Sequence, residues 1–300
     1  MIAVAHMSSH EILQAFQEYL IVDGKGGKTV VSYTGDIARF LTWLETKQIE
    51  FTGELTRFFI ISYKEYLVGK NYSVNTINKK INSLHSFNQF LIAQNLCKEL
   101  LVYPSKDKIK VASGSEQEVE VFTDEEVERL LFYLENRNNV SQRDRAAIVL
   151  LLYTGLRVSE LVNLKTKDID FLTMYLKVVG KGGKYREVPL KTEVIEAIKD
   201  YLEGERKNHK LVDSQYLLLT QRAEKMDKDT INKLLKKHGK QLHLEMYPHK
   251  FRHTFCTRLI KKGVEITTVA KLAGHANIQT TSDYYINTSR EEKQHAVNLL

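Results

Sequence analysis

The sequence predicts a mainly α-helical chain in two domains: an N-terminal helical bundle, then a mostly helical domain carrying one small antiparallel β-sheet. Three observations predict it. Apolar residues recur at helical spacing through the first third of the chain. A stretch of Pro, Ser, Gly and alternating charge, 104–118, then separates two apolar-periodic regions. Beyond it, the helical pattern is interrupted once, by two short β-prone runs around a glycine-rich turn. A length of 300 residues fits one large or two medium domains, and an apolar fraction of 43% is ordinary for a packed core.

Taken in order, Ser8 and Ser9 precede an apolar-periodic run from Ile12 to Leu20, a capped helix start. Val22 to Lys28 is Gly-rich and polar and reads as a loop. From Thr29 to Glu45, Tyr33, Ile37, Phe40, Leu41 and Leu44 lie at helical spacing, and Leu55–Leu67 and Val74–Ile92 repeat the pattern. The first domain is thus a bundle of about four helices over 8–103, with 104–118 as linker and the second domain over 119–300. Thr123 and Glu126 form a capping box that opens a helix. Arg145–Tyr153 is nearly all apolar and is expected to be a buried helix. Tyr175–Val179 and Tyr185–Leu190 flank Gly180-Lys181-Gly182-Gly183-Lys184, a hairpin signal. Helices dominate again from Val194.

Composition narrows the function classes. Lys and Arg number 44 against 37 Asp and Glu, a mild basic excess. The excess is concentrated: residues 221–262 hold twelve basic and four acidic side chains. A solvated helix surface would account for such a run as readily as a nucleic-acid contact. Cys97 and Cys256 are far apart and form neither a disulfide framework nor a metal-ligand spacing, which points to a reducing cytoplasm. No run reaches the roughly 18 apolar residues of a membrane span, and the first residues lack the pattern of a signal peptide.

Two motifs mislead. Gly27-Lys28-Thr29 resembles the end of a phosphate-binding P-loop, but that loop needs a glycine where Val22 stands, and no strand precedes it. His249 and His253 have the spacing of a zinc-binding helix, but Lys250 occupies the position of the glutamate and Arg252 adds a second cation. No metal and no cofactor are expected.

Four segments carry chemistry, each with a bland alternative. In Thr154-Gly155-Leu156-Arg157-Val158-Ser159-Glu160, an apolar helix ends at a glycine and presents one arginine. A buried arginine there needs an anion, and Glu160 alone would supply a structural ion pair. Lys181 lies in the glycine hairpin, where it could reach a phosphate or merely keep a turn soluble. His249 and Arg252, three apart, share a helix face and suit a phosphate, or else end a surface helix. Gly274-His275 is followed nine residues later by Tyr284, and both could be packing residues.

Together these segments resemble the tyrosine recombinases, or phage integrases, including the Xer-type enzymes and transposon resolvases. Arg157 sits in the first-arginine motif and Lys181 in the β-hairpin motif, with Val188-Pro189-Leu190 behind it. His249 and Arg252 match the histidine-x-x-arginine motif, which Arg252-His253-Thr254-Phe255 continues. Gly274-His275 matches the third motif, and Tyr284 stands at the usual offset; Tyr285 adjoins it, and only the offset favours Tyr284. The resemblance covers about 119–290, and more loosely the first domain, where Tyr33, Asp36 and Phe40 echo a pattern of the SAM-like core-binding domain.

The resemblance implies a site-specific DNA recombinase. Tyr284 would be the nucleophile, Arg157, Arg252 and His275 the donors to the phosphate, His249 a proton acceptor or hydrogen-bonding partner, and Lys181 the general acid. It further implies a 3′-phosphotyrosyl intermediate, two domains enclosing double-stranded DNA at a specific recombination site, and a homotetramer on two such sites. The tail from Ser289, with Ala296, Val297, Leu299 and Leu300, would dock on a neighbouring subunit or pack on its own domain. Few residues precede the first helix, which favours a simple Xer-like or resolvase-like system. A type IB topoisomerase and a DNA-binding module without catalysis are the alternatives.

Overall fold

In a computed structural model, residues 8–110, 119–180, 183, 185–275 and 298 are described. The chain divides into two units, Met1–Ser115 and Glu116–Leu300.

The first unit starts at Ser8, whose hydroxyl accepts the Glu11 N–H while the Glu11 carboxylate accepts the Ser8 N–H at 2.7 Å. This reciprocal cap opens α1 (Ser9–Val22), whose buried face is Ile12, Phe16 and Leu20. The chain turns and enters α2 (Gly27–Thr46). The glycine-rich loop is therefore shorter than expected, and Gly27-Lys28-Thr29 is the first turn of a helix that follows another helix. Next come α3 (Arg57–Gly69) and α4 (Val74–Ala93). Phe16, Phe40, Tyr63, Phe87 and Phe90 are fully buried between them, with Phe16 edge-on to Phe87 at 5.2 Å. Asp36 is also buried. It accepts from Lys80 and Ser83 at 3.0 Å each and from Lys79 at 3.1 Å, so its charge is compensated where α2 meets α4.

The segment expected to be a linker from 104 starts instead as ordered structure. Pro104–Asp107 forms a short helix, α5. Asp107 is buried against the Arg57 guanidinium and accepts the Tyr103 N–H at 2.7 Å, and Asn78 and Ile109 exchange two hydrogen bonds. Polar groups satisfy one another here, which leaves no apolar period to be read.

In the second unit the capping box predicted at Thr123 and Glu126 is present and opens α6 (Asp124–Leu134). The apolar run predicted from Arg145 lies in α7 (Gln142–Thr154), which begins earlier because Ser141 caps it through the Asp144 N–H at 3.1 Å. Ala146 to Leu152 are all buried, so α7 is the centre of the core, packed against the helices Thr192–Glu203 and Pro248–Lys261. After α8 (Val158–Leu161) comes an antiparallel sheet in the order β1 (Ile169–Asp170), β2 (Tyr175–Val179), β3 (Tyr185–Pro189). The hairpin is as expected; β1, only two residues long, is too short to carry a period. Leu176 pairs with Val188 and Val178 with Arg186, so these four share the inward face. The unit continues with α9 (Thr192–Glu203), α10 (Lys228–Leu242), α11 (Pro248–Lys261) and α12 (Ile266–Ala273). The fold is thus mainly α with a small antiparallel sheet. Among the described residues, no helix is long and apolar enough to cross a membrane.

Candidate active site

Two glycines at helix ends set the site. α7 stops at Gly155 and α12 stops at Gly274, each in the left-handed conformation, with φ of 59° and 70°. Each reversal delivers a candidate site residue within two positions: Arg157 after Gly155, His275 after Gly274. A side chain at either glycine would be strained in φ and would also collide, at Gly155 with the Phe255 ring and at Gly274 with Arg186 Nη1 at 2.8 Å.

The carbonyls freed at these ends are then cross-held. Arg252 Nη1, from α11, donates to the Gly155 carbonyl at 2.6 Å. Arg157 Nη2 donates to the Gly274 carbonyl at 2.7 Å. The arginine-first, histidine-x-x-arginine and glycine-histidine segments are tied together by these two bonds, although they are far apart in sequence. Arg252 is 3% exposed, whereas the Arg157 side chain keeps 37% of its surface open and can meet a ligand. The ion pair of Arg157 with Glu160 does exist, at 2.9 Å. The structural pair is therefore present, and the same side chain still keeps an open surface.

The electrostatics are cationic. Burial, then Arg252 and Arg157, push the His275 imidazole down to about 4. His253 is pushed down to about 4 by burial, His249 and Arg252. His249 is lowered by desolvation, Arg252 and Arg157, and its ring centre is 6.1 Å from that of His253. Three imidazoles held neutral beside two arginines are what a pocket for an anion looks like before the anion arrives. Lys165, Lys167 and Lys177 line an open cleft together with Glu160. Lys233, Lys236, Lys237 and Lys240 belong to α10, where they add to the basic surface, but Lys250 is not part of it: it is 8% exposed, with its ammonium 4.7 Å from the Phe122 ring centre.

Arg157, His249, Arg252 and His275 are therefore gathered in one place. Lys181, Tyr284 and Tyr285 lie outside the described residues, as does the tail except Asn298. Sequence reasoning missed Arg186. It faces inward on β3, grips Glu160 through both Nη atoms at 3.0 and 2.9 Å, and donates from Nε to the Leu272 carbonyl at 2.7 Å. An arginine in the inward register of a short strand is the signal that could have revealed it.

This architecture, a small hairpin beside helices that converge arginines and histidines, is that of the tyrosine-type DNA recombinases. The chain resembles XerH site-specific recombinase bound to its difH substrate with a TM-score of 0.74 at 18% identity, over 97% of this chain and 84% of that one. It resembles the XerA recombinase crystal structure with a TM-score of 0.53 at 27% identity, over 96% and 98%. The model of the phage integrase family matches residues 120–292, and that of the phage integrase N-terminal SAM-like domain matches residues 13–95. TnP I resolvase of Bacillus thuringiensis is 33% identical over 292 residues, 97% of this chain and 100% of that protein. Tyrosine recombinase XerA of Thermococcus kodakarensis is 33% identical over 280 residues, 92% and 90% of the two. The chain belongs to the phage integrase family and is a site-specific DNA recombinase.

Proposed function

We propose that this recombinase exchanges strands between two double-stranded DNA sites through a 3′-phosphotyrosyl intermediate on Tyr284, acting as a homotetramer in the cytoplasm. The observation that carries the reading is the cross-held pair of segment ends, which sets Arg157 and Arg252 beside His249 and His275. A phosphodiester builds charge on its non-bridging oxygens as it is displaced, and planar guanidinium forks match those oxygens. His275 adds an N–H donor.

In the step proposed, the Tyr284 oxygen attacks phosphorus, the P–O bond to tyrosine forms, and the P–O bond to the 5′ oxygen breaks. The phenol must lose its proton as it attacks. His249, held neutral by burial and its cationic neighbours, can take that proton. Lys181 delivers a proton to the departing 5′ oxygen. The phosphate ester is conserved in the covalent link, so attack by a hydroxyl of the partner strand reverses the same chemistry at a new junction. The relatives named TnP I resolvase and tyrosine recombinase XerA support the recombinase reading.

The test uses a duplex that the protein selects by binding from a randomised pool. Incubation should give a covalent protein–DNA adduct and, with two such duplexes, exchanged products. Tyr284→Phe should lose the adduct and keep binding. Adduct without exchange would favour a topoisomerase, and binding without adduct a silent DNA-binding module. Retention of adduct in Tyr284→Phe with loss in Tyr285→Phe would move the nucleophile by one residue.

A further inference from the structure

Glu160 poses an electrostatic problem that the proposed chemistry does not solve. Its carboxylate is buried and bonds Arg157 twice, through the backbone N–H and through Nη1, both at 2.9 Å. An anion in that position orients Arg157 but also cancels the charge that Arg157 should present to a phosphate. Arg186 supplies the missing cation. Its two Nη atoms take both carboxylate oxygens in the bidentate geometry that only arginine offers. Burial alone would raise the Glu160 carboxyl; Arg186 first, and Arg157 after it, hold it below its ordinary range. The same guanidinium bonds the Leu272 carbonyl and lies so close to Gly274 that a Cβ there would meet it at 2.8 Å.

We infer that Arg186 is a positioning residue for strand cleavage: it neutralises Glu160, so that Arg157 stays oriented yet cationic, and it latches the end of α12 that carries His275. One side chain on β3 thereby joins the hairpin strand, the first-arginine segment and the glycine-histidine segment. Arg186 does not touch the phosphate; it acts through Glu160, Leu272 and Gly274. The inference rests on the recombinase reading.

The test is single-turnover cleavage of a nicked duplex, selected by binding from a randomised pool, by wild type, Arg186→Met, Arg186→Lys, Glu160→Gln and the double variant Arg186→Met/Glu160→Gln. Arg186→Met should cleave about a hundredfold more slowly while its non-covalent DNA affinity stays within about threefold, because a small misplacement of a donor damages the reaction far more than binding. Arg186→Lys should remain impaired, since one ammonium cannot serve two carboxylate oxygens and a carbonyl. The double variant should recover about tenfold over Arg186→Met, because the uncompensated carboxylate is gone. The rate of Arg186→Met relative to wild type should also rise as pH falls. Glu160, left with Arg157 alone, would then take a proton, and the ratio cancels the titration of His249, His253 and His275 common to both proteins. A purely structural arginine predicts neither the rescue nor the pH-dependent ratio. Cleavage by Arg186→Met at the wild-type rate would overturn the assignment. So would a loss shared equally by binding and thermal stability, with a flat pH ratio and no rescue. Should Arg186→Met not fold, wild-type cleavage by Arg186→Lys would overturn it equally. A wild type that forms no adduct would instead overturn the recombinase reading.

Discussion

Arg157 does two jobs with one planar fork, holding the Gly274 carbonyl and facing solvent with a third of its surface. A lysine there would keep the charge and lose the fork. Arg157→Lys is expected to lower single-turnover cleavage by about a hundredfold or more with DNA binding nearly intact; wild-type turnover would remove Arg157 from the phosphate. Gly274 is the second sensitive residue. Its φ of 70° and the guanidinium of Arg186 leave no room for a methyl group. Gly274→Ala should cost about 1–3 kcal/mol in stability through strain and reduce cleavage further by displacing His275, as denaturant unfolding and cleavage assays would read. At this scale the sequence was informative where residue types were chemically unusual, as in the Arg157, His249–Arg252 and Gly274-His275 segments. It was silent on Arg186, whose importance comes from partners in α8 and α12, far away along the chain.

Elements with strong local signals were legible: the Thr123–Glu126 box, the apolar α7, the glycine hairpin. Elements held by long-range polar pairing were not. α5 depends on Arg57 meeting Asp107 across fifty positions, and β1 depends on β2. A further case links α6, α7 and α10. His238 is fully buried, with its Nδ1 2.9 Å from the Tyr133 hydroxyl and its Nε2 3.1 Å from Asp144. Burial would raise the Asp144 carboxyl, but His238 and Arg143 hold it below its ordinary range. Removing the imidazole leaves a buried carboxylate short of a partner. His238→Ala should therefore destabilise the second unit by about 2 kcal/mol in urea unfolding, and an unchanged midpoint would show that the network contributes nothing net.

For the whole molecule, charge sets the response to pH and salt. His253 and His275 are pushed down to about 4 from the ordinary histidine value of 6.5. Between those values the unfolded chain binds more protons than the folded one, so stability rises with pH across the window and is lost on acidification from about 6.5 toward 4. The melting temperature should fall on the order of 5 °C between pH 7 and pH 5, and bound DNA should blunt the fall because a phosphate favours the protonated imidazoles. A melting temperature flat over that range would contradict the placement of these histidines. DNA affinity should decline steeply with salt, since phosphate contacts by Lys and Arg release counterions. The basic run 221–262 alone did not decide between a DNA surface and a solvated one; Lys250, counted within it, turned inward to Phe122, an outcome that charge counting cannot foresee.

If the site works as proposed, a tyrosine oxygen of this chain becomes bonded to a DNA phosphate held by Arg157, Arg252, His249 and His275. Proteolysis of the trapped protein–DNA adduct, followed by mass spectrometry of the nucleotide-bearing peptide, tests this most directly. The expected result is a nucleotide mass on Tyr284, absent in Arg157→Ala. A nucleotide on any other side chain, or no linked peptide from a DNA-bound wild-type protein, would contradict it.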